Sequence, residues 1–206
     1  MAKVTSSGSN YPPFPALDWK GHYWLGKIVL QSWKGFQARQ GPYGSRSSKK
    51  SSSGSVSLIV PPPDGKEKGP PTPEQAEAYQ YLLAHEQAIS TAVRSSIYEV
   101  YPDWREEYGL DEEEAAELMP DIEGPDQLKT LIGLANVHIL PVAKDGVGYV
   151  GFELGCTWDD EHGLGVMMHK DRVVKLGGAD SAFLEWIAEA DARSSAEEKP
   201  KGKRKK

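Results

Sequence analysis

Three consecutive acids and a histidine, at 159–162, stand between two short apolar runs of the chain. The first run is 147–156, where every second residue from position 150 onward is apolar, as in a strand with one buried face. The second run is 163–169. The sequence therefore predicts two antiparallel strands joined by a charged turn. This turn gathers several groups able to bind a metal or move a proton into one short segment.

Further strand and turn signals predict a sheet around this hairpin. Aromatic and β-branched residues favour strands, and Asp145-Gly146 is a hairpin turn signal. The first three predicted strands would pair as an antiparallel meander. The full set of predicted strands is 22–30, 36–39, 56–60, 136–142, 147–156, 163–169 and 172–176.

The clearest helix signal follows a proline-rich segment. Thr72 supplies an N-cap, Pro73 occupies the first helical position, and Gln75 completes a capping box. Apolar residues then recur at helical spacing as far as Pro102, which predicts one helix of about 28 residues. Shorter helices are predicted at 111–119, 125–132 and 180–187.

The order of these elements predicts an α+β fold. We expect an antiparallel sheet of about six to seven strands with one long helix and two or three short helices packed on it. A single domain would cover 11–191, preceded by a disordered tail at 1–10. The Gly, Ser, Lys and Arg residues of 41–55 offer little to bury and predict a mobile loop. A disordered basic tail would cover 192–206.

Charge is unevenly distributed along the chain. There are 24 Lys and Arg against 30 Asp and Glu, a formal net charge of -6. Six of the positive charges lie within Lys199–Lys206, which leaves an acidic body with a basic tail. Such a tail predicts weak, nonspecific contact with nucleic-acid phosphates, because a flexible run of lysines reads no base sequence.

The sequence also bears on the cellular compartment. The single cysteine, Cys156, excludes an internal disulfide and a cysteine-rich zinc site. The first ten residues lack the apolar core of a signal peptide. No run approaches the roughly 20 apolar residues that span a bilayer. We therefore expect a cytoplasmic protein without membrane contact.

Several motifs together resemble a bacterial family of uncharacterised domains. The resemblance covers roughly Trp19 to Ile187 and implies no activity, cofactor or catalytic residue. Domains of this kind are similar to the small immunity and accessory proteins encoded in bacterial conflict loci. The motifs are Trp33-x-Gly35, Thr72-Pro73-Glu74, Phe152-Glu153 and Cys156-x-Trp158-Asp159-x-Glu161-His162-Gly163-Leu164-Gly165-Val166.

The charged turn has two competing interpretations. As a metal site it would need three or four converging ligands, and one short turn supplies two at most. The alternative metal set is Asp159, Glu161 and His162 completed by His138 or His169, with His22 and Glu153 as further candidates. As a structural turn it would use Asp159 to accept backbone N–H groups, with Trp158 packed beneath the loop.

A binding surface is the remaining interpretation of these residues. Trp24 and Trp33 lie near the proline-rich N-terminal segment and are candidates for an exposed aromatic patch. The acidic run 106–123 would favour a basic protein partner. The predicted binding residues are Trp24, Trp33, Trp158, Asp159, Glu161 and His162.

These observations favour a non-enzymatic interaction module over an enzyme. The sequence contains no G-x-S-x-G, no H-E-x-x-H and no phosphate-binding glycine loop before a helix. Cys156 ends an apolar strand face beside three acids, as a buried small hydrophobe rather than a nucleophile. The alternative is a metal-dependent enzyme centred on the turn, and a third hypothesis is an adaptor held near nucleic acid by the basic tail. No cofactor is predicted.

Overall fold

The computed structural model describes residues 8–63 and 68–197. The first seven residues of the predicted N-terminal tail and positions 198–206 of the predicted basic tail, including Lys199–Lys206, lie outside the described residues. Within the described ranges, no helix combines the length and apolar character needed to cross a membrane.

A seven-stranded sheet confirms the predicted α+β class. The strand order is β1-β2-β5-β6-β7-β8-β9, and every neighbouring pair is antiparallel except β5–β6, which is parallel. A separate two-stranded sheet consists of β3 and β4. The strands are β1 Asp18–Trp19, β2 Trp24–Val29, β3 Gln37–Gln40, β4 Arg46–Ser51, β5 Ser55–Val60, β6 Ile132–Lys144, β7 Val147–Cys156, β8 Leu164–His169 and β9 Arg172–Gly177.

The predicted meander of the first three strands is wrong. β2 pairs directly with β5, and β3 pairs with β4. β4 lies inside the segment 41–55, which was expected to be a loop. The loop was predicted from amino-acid composition, which indicates only how much apolar surface the side chains can bury. A strand also forms through hydrogen bonds between backbones, which composition does not indicate. Most side chains of β4 are exposed, but its backbone has a partner in β3.

The predicted long helix is two helices. α1 covers Pro73–Ala84 and begins with the predicted capping box, and α2 covers Glu86–Tyr108. The break falls at His85, whose backbone leaves the helical region and whose ring stacks on Tyr81 at 4.0 Å. α2 then continues past Pro102, where the sequence predicted its end. Trp104 beyond the proline packs on Trp158, and this contact helps offset the cost of a proline inside a helix.

Two further helices complete the fold. α3 covers Glu112–Leu118, within the helix predicted at 111–119, and is capped by Asp111. The predicted helix at 125–132 is a 3-10 turn at Pro125–Thr130. A 3-10 turn at Ala179–Ala182 leads into α4, Glu185–Glu197, which extends beyond the predicted domain end at 191. Asp191 explains this extension, because its carboxylate binds Lys144, Tyr149 and Arg172.

Helices and short segments cover both faces of the central strand β7. Phe152 and Leu154 point into the main core with α1 and α2, while Tyr149 packs with Ile187 of α4 on the opposite face. Gly151 permits this second layer to approach closely, since a Cβ there would lie 1.6 Å from the carbonyl oxygen of Ala182. The β7–β8 turn therefore projects from a sheet that is packed on two sides.

Candidate functional site

The β7–β8 turn is organised around the carboxylate of Asp159. Its Oδ1 accepts the backbone N–H groups of Glu161 and His162 at 3.2 and 2.8 Å, and lies 3.1 Å from Nδ1 of the His162 ring. Its Oδ2 accepts the hydroxyl of Tyr108 on α2 at 2.8 Å. Gly163 closes the turn with a φ of +57°, a conformation that favours glycine. The observed geometry is the Asx-type turn predicted as the structural interpretation.

These hydrogen bonds decide the ionisation of Asp159. Burial alone would raise its pKa, but the backbone N–H of His162, the hydroxyl of Tyr108 and the His162 side chain outweigh that effect and lower the pKa below its usual range. Burial and the Asp159 carboxylate in turn raise the pKa of Tyr108. Tyr108 therefore stays protonated as a donor at neutral pH, and Asp159 stays an anion.

Trp158 anchors the turn to the helical layer. Its ring is 6% exposed and lies 5.4 Å from the ring of Tyr101 and 6.4 Å from that of Trp104, centroid to centroid. The hydroxyl of the preceding Thr157 donates to the carbonyl of Leu118 at the end of α3. The turn, α2 and α3 are consequently packed as one unit.

The side chains of the other predicted turn residues lie at the surface. Glu161 is exposed, and the side chain of His162 is 74% exposed. Asp160 lies 3.8 Å from the buried guanidinium of Arg39 on β3. His162 is held mainly through its backbone, because its N–H donates to Asp159 and its carbonyl accepts the N–H of Ala179.

The alternative metal ligands do not converge on the turn. His138 is buried on β6, where Nε2 lies 2.7 Å from Oε2 of Glu153 and the ring packs on Phe183. His169 ends β8, roughly 16 Å from the turn at 3.3 Å per residue. Its Nε2 bonds to the carbonyl of Lys144, and burial lowers its pKa. His22 is exposed in the β1–β2 connection.

The same result holds for the rest of the described chain. Across residues 8–63 and 68–197, no group of three or more His, Cys, Asp and Glu is placed to hold a metal ion. Cys156 is fully buried, and burial raises the pKa of its thiol to about 12. The thiol is therefore protonated at neutral pH and packs as a small hydrophobe, as predicted.

The exposed aromatic patch predicted at Trp24 and Trp33 does not form, because each ring is only 1% exposed. Trp24 lies on the core-facing side of β2, packs against Tyr11 and Trp19, and donates its Nε1–H to a backbone carbonyl. Trp33 folds under the sheet against Phe36. Trp24 and Ile28 are four residues apart on β2, so alternation places both side chains on the same, buried face. The burial of Trp24 could have been derived from this spacing.

Two aromatic residues that the sequence interpretation missed lie at the turn. Trp104 and Tyr108 belong to the last turns of α2 and line a cavity of about 290 Å3 together with Trp158, Asp159 and Glu107. Trp104 and Tyr108 follow Tyr101 by three and seven residues, and this helical spacing was a usable signal. It was overlooked because the helix was expected to end at Pro102.

Two acids, Glu107 and Asp159, line this cavity, and the chain segment that contains Glu107 is rich in acids. Residues 103–126 contain eleven Asp and Glu and one basic residue, Arg105. The contacts of Tyr108 with Asp159 and of Thr157 with Leu118 join this segment to the acids of the turn. We call the surface formed by 103–126 and 159–161 the acidic face.

Comparison with known proteins identifies the family. A family model described as a domain of unknown function, DUF6985, matches residues 24–184, which include every strand from β2 to β9. No curated protein and no solved structure matches the chain. Since the family match covers well over half of the sequence, this chain belongs to the DUF6985 family.

Proposed function

We propose that this protein is a non-enzymatic interaction module that binds a basic region of a protein partner through its acidic face. The observation that carries the proposal is the cavity between α2 and the β7–β8 turn. It combines the rings of Trp104, Tyr108 and Trp158 with the carboxylates of Glu107 and Asp159. Aromatic faces and carboxylates in one cavity are complementary to a cationic group.

The size of the cavity favours a single side chain. At about 290 Å3 it lies just below the usual range of small-molecule pockets. A lysine or arginine of the partner would place its charged end near Glu107 and Oδ2 of Asp159, and its apolar stem against the tryptophans. Tryptophan and arginine are typical of the few residues that dominate interface energies.

The negative charge around the cavity would speed association with a basic partner and make the choice of partner more selective. The acidic residues of α2, α3 and their connections produce a field that attracts basic proteins and repels acidic ones. Complementary charge of this kind chiefly raises the association rate and narrows the choice of partner.

The finer parts of this proposal rest on the sequence: the origin and role on the family resemblance, and the location and the basic partner on composition and charge. They are a bacterial origin, a cytoplasmic location and an immunity-like or accessory role in which the partner is a basic protein. Weak nucleic-acid contact through Lys199–Lys206 also remains a proposal. The alternative of a metal-dependent enzyme gains no support from the separated positions of His138, His162 and His169.

A titration with a hexa-arginine peptide tests the proposal. Binding should shift the indole N–H NMR signals of Trp104 and Trp158 and weaken with added salt. Glu107→Lys should weaken binding by about tenfold, because it places a like charge beside the cavity. The matched control is Glu77→Lys, the same charge change at an exposed position of α1.

The control separates a defined site from general attraction. Equal weakening by Glu107→Lys and Glu77→Lys would show that the peptide senses only net charge, and this would contradict the proposal. An affinity pull-down from a lysate of the native host, with this protein as bait, should recover one dominant basic protein. The wild type and Glu77→Lys should recover it, and Glu107→Lys should not.

A further inference from the structure

A second region of the chain carries the opposite charge from the acidic face. Between Trp19 and Pro63 there are seven Lys and Arg and no Asp or Glu. This segment forms β2 to β5, including the β3–β4 hairpin. In a chain with a formal net charge of -6, so long an interval without an acid makes one part of the surface locally basic.

The hairpin and the outer face of the sheet enclose a polar groove of about 470 Å3. Lys27 enters it from β2, Arg39 from β3 and Lys50 from β4. Across the described residues, no carboxylate lies within 4 Å of Lys27 or Lys50, and Arg39 has Asp160 at 3.8 Å. Among residues 8–63 and 68–197, the two ammonium groups of the groove therefore have no counter-charge.

Serine hydroxyls supply further donors to the same groove. Ser48, Ser52 and Ser53 each accept a backbone N–H, at 3.2, 3.0 and 3.4 Å respectively. Because the oxygen is the acceptor in each bond, the hydroxyl proton remains available to donate. Three further serines line the groove, namely Ser51, Ser55 and Ser57.

One side chain in the groove is held in place before any ligand arrives. The guanidinium of Arg39 is buried, with Nε donating to the side-chain oxygen of Gln37 at 2.7 Å and Nη1 near the carbonyl of Gly44 at 3.4 Å. Because Asp160 already faces its charge at 3.8 Å, Arg39 fixes one wall of the groove, and the two lysines supply the charge for a ligand. The groove is thus rich in donors and positive charge, and part of it is rigid.

We propose that this groove binds the phosphate group of a phosphate ester. Several lysine and serine donors around one space match the three or four oxygens of a phosphate better than the two of a carboxylate. No aromatic ring lines the groove, so it offers no stacking platform for a base. Recognition is therefore of the phosphate itself.

Calorimetric titration of the full chain with inorganic pyrophosphate tests this site. The double variant Lys27→Gln/Lys50→Gln should weaken binding about tenfold or more, because charge-assisted hydrogen bonds are lost. The matched control is Lys170→Gln/Lys175→Gln, the same charge change at the β8–β9 turn and on β9. Both variants keep the basic C-terminal tail, so any contribution of the tail cancels in the comparison.

A second arm uses a single-stranded oligothymidylate to identify the source of the phosphate. Tighter binding of the oligonucleotide than of pyrophosphate, lost in Lys27→Gln/Lys50→Gln, would assign the phosphate to a nucleic-acid backbone. Preference for pyrophosphate would assign it to the terminal phosphate group of a small molecule. Equal effects of the two double variants, or no saturable binding of either probe at millimolar concentration, would overturn the proposal.

Discussion

Two histidine–carboxylate pairs in this protein have the same chemistry in opposite surroundings. On the β7–β8 turn, Nδ1 of His162 lies 3.1 Å from Oδ1 of Asp159, and the imidazole is mostly exposed. Between β6 and β7, Nε2 of His138 lies 2.7 Å from Oε2 of Glu153, and both side chains are buried. The first pair comes from neighbours in sequence and the second from neighbouring strands.

The two carboxylates differ in the hydrogen-bond partners that depend on them. The carboxylate of Asp159 accepts hydrogen bonds mainly from backbone N–H groups and from the hydroxyl of Tyr108. The His162 ring is therefore a minor partner in the turn. Glu153 and His138 instead form a hydrogen bond with each other between two strands, where both side chains are buried. Loss of a partner should therefore matter little on the turn and much in the sheet.

The largest expected effect concerns the residue that anchors the exposed pair. Trp158→Ala should lower the free energy of unfolding by about 3 to 5 kcal/mol, because it removes a buried indole that packs against Tyr101 and Trp104. Urea denaturation measures this loss. Trp186→Ala is the matched control, since that ring is 61% exposed and its removal should change stability by less than about 0.5 kcal/mol. Similar losses in both variants would contradict the anchoring role.

The buried pair gives the next effect. Glu153→Leu should lower the free energy of unfolding by about 1 to 3 kcal/mol, because it leaves the buried imidazole of His138 without its hydrogen-bond partner. The double variant His138→Leu/Glu153→Leu should recover part of this loss, since an apolar pair leaves no unsatisfied polar group. A double-mutant cycle measures the coupling. Strictly additive losses would show that the two side chains do not depend on each other.

The ionisation of Asp159 gives a smaller effect that depends on pH. Its pKa is lowered in the folded state, so the charge stabilises the fold above the unfolded pKa near 3.9 and ceases to do so as pH falls through the folded value. Asp159→Asn retains an acceptor oxygen but removes the charge. The free energy of unfolding of the wild type should exceed that of this variant by about 1 to 2 kcal/mol at pH 7. This difference, measured by urea denaturation, should shrink below about pH 4. A difference that grows towards acid would contradict the sign.

Local signals predicted much of the fold correctly. The capping box at Thr72 and Gln75 begins α1, the helix predicted at 111–119 contains α3, and the alternation in 147–156 matches β7 at both ends. Each of these signals depends on residues close together in the chain. The parallel β5–β6 pair and the β3–β4 hairpin depend on pairing between backbones, which side-chain composition does not report.

The candidate site was predictable only in part. The Asx turn at Asp159 follows from a local motif, and the structure contains it. The contribution of Tyr108 could not be derived from the sequence, because it required α2 to continue past Pro102 and meet a turn 51 positions later. His138 and Glu153 were both noted as candidates, but their pairing follows from the register of β6 and β7 rather than from any motif.

The central claim is that Asp159 maintains the β7–β8 turn while Glu161 and His162 are dispensable for folding. The most direct measurement compares the unfolding free energies of Asp159→Ala, Glu161→Ala and His162→Ala in urea. We expect a loss of about 2 kcal/mol for Asp159→Ala, which removes an acceptor of several hydrogen bonds, and less than about 0.5 kcal/mol for the other two. A loss at His162 equal to or greater than that at Asp159 would contradict the claim.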